Sequence, residues 1–213
     1  CNSELIEADK RDLYSSFKIP KKTGGLRQID APCDELKRAL YELKNIFESD
    51  LFTGGIIVYH HTSAYAYVKN RCALDAVKKH QLNNSKWFLK TDFSNFFGST
   101  TLEYAYNMLI KIFPFSRIAE LNIKKHSEDC ADTTIKGSEE LKKALSLCFL
   151  TDENGVETLP QGTPMSPLLT NIIMIPIDHR ISNDLRYQQE NFTYTRYSDD
   201  IQISSRKDFD ANR

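Results

Sequence analysis

Two alternating runs, Phe192–Tyr197 and Ile201–Ser204, are separated only by Ser198-Asp199-Asp200. Parallel neighbours need a crossover of about a dozen residues, so a link this short leaves an antiparallel hairpin with two aspartates at its tip. Two further hairpin signals occur. Phe17, Ile19 and then Leu26, Ile29 flank Lys21-Lys22-Thr23-Gly24-Gly25, whose glycines supply positive-φ geometry, so residues 16–29 are predicted to form a hairpin. Phe149–Thr151 and Val156–Leu159 flank Asp152-Glu153-Asn154-Gly155, whose Asn-Gly is a strong turn signal. Helical spacing lies between these. Leu36, Leu40, Leu43 and Phe47 predict a helix over Asp34–Asp50, with Asp34 as N-cap just after Pro32. Shorter helices are predicted over Ala73–His80, Thr101–Ile112, Ser138–Phe149 and Pro167–Ile177, the last with Pro167 in its first turn. Trp87–Phe93 reads as a strand apolar enough to be buried on both faces and closed by Asp92. Ser116–Gly137 has no firm period. Without a regular βαβ rhythm, the fold class is α+β with an antiparallel sheet.

Composition narrows the functional classes. With 28 Lys+Arg against 29 Asp+Glu, the net charge of −1 excludes binding of nucleic acid by overall positive charge and leaves a local basic site open. No apolar run approaches the roughly 18–20 residues of a transmembrane helix, and the longest, Leu168–Ile177, contains Thr170, Asn171 and Pro176. The N-terminus carries no hydrophobic signal segment, so a cytoplasmic protein without a membrane partner is expected. Five cysteines without C-x-x-C spacing fit unpaired thiols in a reducing compartment, and adjacent His60 and His61 fit ordinary polar positions better than a zinc site. The chain begins with Cys1 and not Met, which is expected of a fragment or trimmed chain.

The acidic residues carry the chemistry. Asp92 closes a strand and Asp199-Asp200 tip a hairpin. An Asp-Asp pair alone is weak evidence, and three solvated turn aspartates are the bland alternative. Carboxylates brought together at a strand end and a hairpin tip repel one another unless a cation binds them. Hard oxygen ligands suit Mg²⁺, which shares its coordination with substrate phosphates, and two such ions would activate an attacking hydroxyl and stabilise a leaving pyrophosphate.

The surrounding residues resemble the reverse transcriptase family, in its prokaryotic retron-like and defence-associated branches. Tyr197-Ser198-Asp199-Asp200 is similar to the Tyr-x-Asp-Asp box, within the retron-like run Tyr194–Ser204. Lys90-Thr91-Asp92-Phe93-Ser94-Asn95-Phe96-Phe97 is similar to the first palm motif, and Leu159–Asn171, with Pro160-Gln161-Gly162 near its start, to the second. Phe17–Ile29 resembles the fingers hairpin, and Ala66–Arg71 the segment before the first palm motif. The motifs stand in family order over Phe17–Ser204.

The resemblance implies a right-hand polymerase: fingers over 1–86, with the hairpin at 16–29, and palm over 87–213, with a fingers-side insertion near 113–150. It implies RNA-directed DNA synthesis with two Mg²⁺ ions, Mn²⁺ as a substitute, on an RNA template with a DNA primer or an RNA–DNA hybrid. Asp92 and Asp199 would be the main metal ligands, with the Phe93 carbonyl as a further one and Asp200 binding more loosely. Lys21 and Arg27 would clamp the dNTP triphosphate, and Phe97 would be the sugar gate while Phe96 enters the core. Gln161 and Gly162 would line the base-pair pocket, Tyr197 would sit near the primer end, and Arg71 would touch template phosphate or serve a structural pair. The family continues into a thumb that this chain lacks, so weak duplex binding by these residues alone is expected. Ser198, Thr163, Met165 and the His60-His61-Thr62 stretch depart from retron patterns. They leave open a phage-defence role, template-independent or protein-primed synthesis of the abortive-infection type, or a non-catalytic palm-fold module that binds RNA.

Overall fold

The computed structural model describes residues 4–5, 8–21, 24–48, 60–112, 141–187 and 191–209. Lys22 and Thr23 of the hairpin tip, Cys1, Cys130, the aperiodic stretch 116–137 and most of the expected insertion lie outside them. In chain order the elements are β1 (Tyr14–Pro20), β2 (Leu26–Pro32), α1 (Asp34–Glu48), α2 (Ala73–Leu82), β3 (Trp87–Asp92), α3 (Leu102–Ile112), β4 (Leu150–Thr151), β5 (Glu157–Thr158), α4 (Ser166–Ile173), α5 (Ile175–Tyr187), β6 (Thr193–Tyr197) and β7 (Asp200–Ser205).

The chain forms two compact units, one from 1–57 with 97–169 and one from 58–96 with 170–213. In the first, β1 and β2 pair antiparallel from Tyr14↔Pro32 to Pro20↔Leu26, and β4 and β5 close the Asn154-Gly155 hairpin. The predicted stripe of α1 is its buried face: Leu36, Leu40, Leu43 and Phe47. Leu102, Ala105 and Leu109 do the same for α3, and Leu145, Leu147, Cys148 and Phe149 add to the buried set.

The second unit is built on a three-stranded antiparallel sheet in the order β3-β7-β6. β6 is buried from Thr193 to Arg196, and its outer edge is covered by the loop at 63–65, where Arg196 N–H donates to the Ser63 carbonyl at 2.7 Å and Tyr65 N–H to the Arg196 carbonyl at 2.9 Å. The expectation that β3 is buried on both faces is overturned: Trp87, Phe88 and Leu89 are 46%, 52% and 49% exposed. β3 and β6 are the two edges of the sheet, but β6 is covered by the loop at 63–65 and by α2, whereas β3 packs chiefly on β7. The single helix predicted over 167–177 is instead two. α4 ends at Ile173 and α5 starts at Ile175 with Pro176 in its first turn, where a missing N–H costs little.

Candidate active site

In the second unit the antiparallel register sets Asp92 directly opposite Asp200 and Asp200 opposite Tyr197, leaving Ser198 and Asp199 as the turn. Phe93 N–H donates to the Asp199 carbonyl at 3.3 Å, which docks the turn on the end of β3. Asp92, Phe93, Tyr197, Asp199 and Asp200 therefore meet at one end of one sheet. Like charges directly opposite on neighbouring strands are unfavourable. A cation compensates: Lys90 Nζ lies 2.9 Å from Asp200 Oδ1, and its pKa is raised first by that hydrogen bond, with the charges of Asp92 and Asp199 acting in the same direction. The Lys90 ammonium thus marks where the negative potential of the three aspartates converges. Among the described residues no three acidic, imidazole or thiol groups form a ready-made metal cage. The donors that this end of the sheet does offer are carboxylates and backbone carbonyls, hard oxygen groups that suit a hard divalent cation better than a soft one.

Beneath the turn lies a network that sequence reasoning missed. Arg196 and Asp178 form an ion pair with both side chains wholly buried. Arg196 Nη1 also donates to the Ser198 carbonyl at 3.0 Å and to Asn171 Oδ1 at 3.2 Å. Tyr194 O–H donates to Asp178 Oδ1 at 2.5 Å, and burial, then the Asp178 charge, pushes the phenol far above its ordinary range. The available signal was an arginine in phase with Tyr194 on a strand that is otherwise half apolar. Through Thr195, β6 also meets α2: the ring nitrogens of buried His80 lie 2.5 Å from Ser204 Oγ and 2.8 Å from Thr195 Oγ1. Ser198 itself sits at φ 61°, and its buried hydroxyl has no partner among the described residues. Arg71 belongs to this unit too. It donates to the Thr62 and Ala64 carbonyls at 2.9 and 2.8 Å and lies over the Tyr65 ring. Phe96 is buried and stacks on Phe93 at 5.4 Å between centroids.

The remaining sequence-predicted residues lie in the first unit. Lys21 N–H donates to the Gly25 carbonyl and Gly24 N–H to the Lys21 carbonyl, closing the hairpin end. Lys21 and Arg27 are exposed, and neither makes an ion pair with the described residues. Asp30 N–H donates to the Gln161 carbonyl at 2.7 Å. Gly162 has φ 125°, and a Cβ there would come within 3.0 Å of the Asp30 carbonyl oxygen and of Ile29 Cγ2. Gln161-Gly162 is thus fastened to β2, the strand that carries Arg27. Phe97 is half-buried, its carbonyl accepting from Thr100 N–H at 3.0 Å.

A short strand ending in an acid, an acidic hairpin tip beside it and a basic hairpin define a polymerase-type chain. Residues 19–213 match the family described as reverse transcriptase (RNA-dependent DNA polymerase), and the chain belongs to that family. It is similar to the retron Ec73 reverse transcriptase of Escherichia coli, 32% identical over 88% of this chain and 52% of that protein. To the retron Ec83 reverse transcriptase of Escherichia coli it is 29% identical over 94% of this chain and 55% of that protein. To the retron Mx162 reverse transcriptase of Myxococcus xanthus it is 30% identical over 93% and 37%. The chain therefore spans about half the length of the Escherichia coli relatives. Among solved structures, a telomerase from Candida albicans in complex with a TWJ fragment of telomeric RNA matches with a TM-score of 0.51 at 12% identity, over 97% of this chain and 40% of that one. An apo telomerase from Candida tropicalis truncated from its C-terminal domain matches with a TM-score of 0.51 at 13% identity, over 94% and 45%. At such identities the likeness concerns the fold: a right-hand polymerase fold of helices and antiparallel sheet.

Proposed function

We propose that the protein carrying this chain is an RNA-directed DNA polymerase of retron type, which adds dNTPs to a primer 3′-hydroxyl on an RNA template. The observation that carries this reading is the gathering of Asp92, Asp199 and Asp200 at one end of the β3-β7-β6 sheet, in a chain that matches the reverse transcriptase family from residue 19 onward. In this reading the fingers lie over 1–86 and the palm over 87–213. Asp92 and Asp199, with the Phe93 carbonyl and Asp200, would hold two Mg²⁺ ions, or Mn²⁺ in their place. Bound there, the ions would lower the pKa of the primer hydroxyl and offset charge on the departing pyrophosphate.

The chain's own residues supply position and charge. Lys21 and Arg27 neutralise the triphosphate, Arg27 through a two-pronged fork that matches phosphate geometry. Phe97 lies against the sugar and leaves a 2′-hydroxyl neither room nor a hydrogen-bond partner. Gln161 and Gly162 border the nascent base pair, Tyr197 borders the primer end, and Arg71 steadies the loop beside the template. In the cell this synthesis would serve a retron-like system or phage defence in the cytoplasm.

The test is primer extension by the full-length natural protein on RNA, on DNA and without template, each with single dNTPs, alongside Asp199→Asn. Extension on RNA that Asp199→Asn abolishes is the expected result. Extension without template would replace this reading with untemplated or protein-primed synthesis, and full biological activity in Asp199→Asn would replace it with a non-catalytic RNA-binding role.

A further inference from the structure

The turn that carries Asp199 is held from below by a charge pair that never meets solvent. Arg196 Nε donates to both carboxylate oxygens of Asp178, at 3.0 and 3.2 Å, and Nη2 donates to Oδ2 at 2.9 Å. Nη1 points the other way, to the carbonyl of Ser198 and to Asn171 Oδ1. Asn171 is itself fixed, donating through Nδ2 to the Ala66 carbonyl at 2.9 Å, and Tyr194 O–H donates to Asp178 Oδ1, an oxygen that Arg196 Nε also reaches. One guanidinium therefore joins helix α5, helix α4 and the peptide immediately before Asp199.

Stability alone is a poor reason to keep such a pair. Removing two charges from water costs about as much as their attraction returns, and an apolar pair of similar volume is often equally stable. What the apolar pair cannot do is hold a carbonyl in a set direction. Ser198 needs that hold, because its left-handed φ of 61° is one that an L residue adopts only under constraint.

We propose that Arg196 and Asp178 are positioning residues: together they fix the Ser198–Asp199 peptide and thereby aim the Asp199 carboxylate. The proposal rests on the reading of Asp199 as a catalytic carboxylate. Neither Arg196 nor Asp178 touches a reacting atom. Their effect passes through the turn.

The experiment compares the full-length natural protein with Arg196→Lys and with the double variant Arg196→Met, Asp178→Leu, which leaves no orphaned charge in the core. Thermal unfolding, amide exchange at Phe93 and steady-state incorporation are measured on each. Phe93 is the reporter because its N–H is bonded to the Asp199 carbonyl. The double variant is expected to fold with a midpoint within about 5 °C of the parent. Its Phe93 amide is expected to exchange at least about tenfold faster while the Leu89 amide is unchanged. Its kcat is expected to fall at least about tenfold with the dNTP KM within about threefold. Arg196→Lys, which keeps a charge without the fork, falls between in both readouts.

Unchanged Phe93 exchange and unchanged kcat in a folded double variant would overturn the proposal. Should the double variant not fold, parental exchange and kcat in Arg196→Lys would overturn it. Faster Phe93 exchange in variants of a protein whose parent incorporates no nucleotide would leave the clamp standing and remove the polymerase reading.

Discussion

Asp92 and Asp200 face each other across β3 and β7, an arrangement that sequence design for stability alone would avoid. Sites held for chemistry commonly carry this kind of unfavourable charge, so activity and stability should move in opposite directions on substitution. Asp92→Asn keeps the shape and removes one of the opposed charges. It is expected to stabilise the second unit by roughly 0.2–1 kcal/mol, in line with cross-strand charge pairs, while abolishing nucleotide incorporation. Urea unfolding beside a primer-extension assay checks both signs, and a loss of stability would show that Lys90, paired with Asp200, compensates Asp92 in full as well. Ser198 offers a second trade at the same turn. Its buried hydroxyl lacks a partner among the described residues. Ser198→Ala is therefore expected to raise stability by about 1 kcal/mol, the order of the penalty for an unsatisfied buried polar group. Hydroxyl loss that instead lowers stability would reveal a partner for it.

At the scale of elements, local chemistry was legible and long-range partnership was not. The hairpins follow from turn residues beside alternating runs, and α1 follows from a repeat that becomes its buried face. The places of Asp92, Asp199 and Asp200 in the sheet were legible for the same reason, since a strand end and a hairpin tip are local facts. The exposure of β3 was not, because Trp87-Phe88-Leu89 would read alike at the centre of a sheet or at its edge. Nor was the partner of Arg196, which lies on a helix whose charged residues conceal a buried Asp178. Gly162 belongs between these cases. The resemblance placed it beside the base pair, and what the structure shows is a close approach to β2 of the basic hairpin. At φ 125°, with the Asp30 carbonyl and Ile29 already at 3.0 Å from a prospective Cβ, an alanine would both strain the backbone and push β2 away. Gly162→Ala is expected to cost on the order of 2 kcal/mol, and to raise amide exchange at Asp30, whose N–H is bonded to the Gln161 carbonyl. Exchange at Asp30 that stays at the parental rate would mean the hairpin is fastened elsewhere.

At the scale of the molecule, mild acid is expected to act first on the unit that holds the carboxylate cluster. His60, His61 and His80 all belong to it, and burial is the foremost cause lowering the pKa of each. For His61 the Asp178 charge works against burial, and for His80 the neighbouring Lys79 works with it. The Ser204 hydroxyl donates to Ser85 Oγ, so the neutral His80 ring donates to Ser204 Oγ and accepts from Thr195, and a second ring proton would force the Thr195 hydroxyl to turn from donor to acceptor. A histidine whose folded pKa lies below its ordinary value of about 6.5 binds fewer protons folded than unfolded in the interval between the two. Stability then rises with pH across that interval: it is fully present above about pH 6.5 and is lost as pH falls toward the folded value. Carboxylates lowered by hydrogen bonds, such as Asp75 and Asp152, act in a separate window near and below the ordinary carboxylate range. Amide exchange of β6 and β7 is therefore expected to be steady from about pH 8 to 7, after correction for intrinsic rates, and to lose protection between about pH 6.5 and 5. His80→Gln, which cannot take up the proton, should flatten part of that slope at the cost of some stability at neutral pH. Protection that holds unchanged down to pH 5 in the parent protein would show that the buried imidazoles keep an ordinary affinity for protons, and the acid-sensitive face of the sheet would have to be sought among its carboxylates instead.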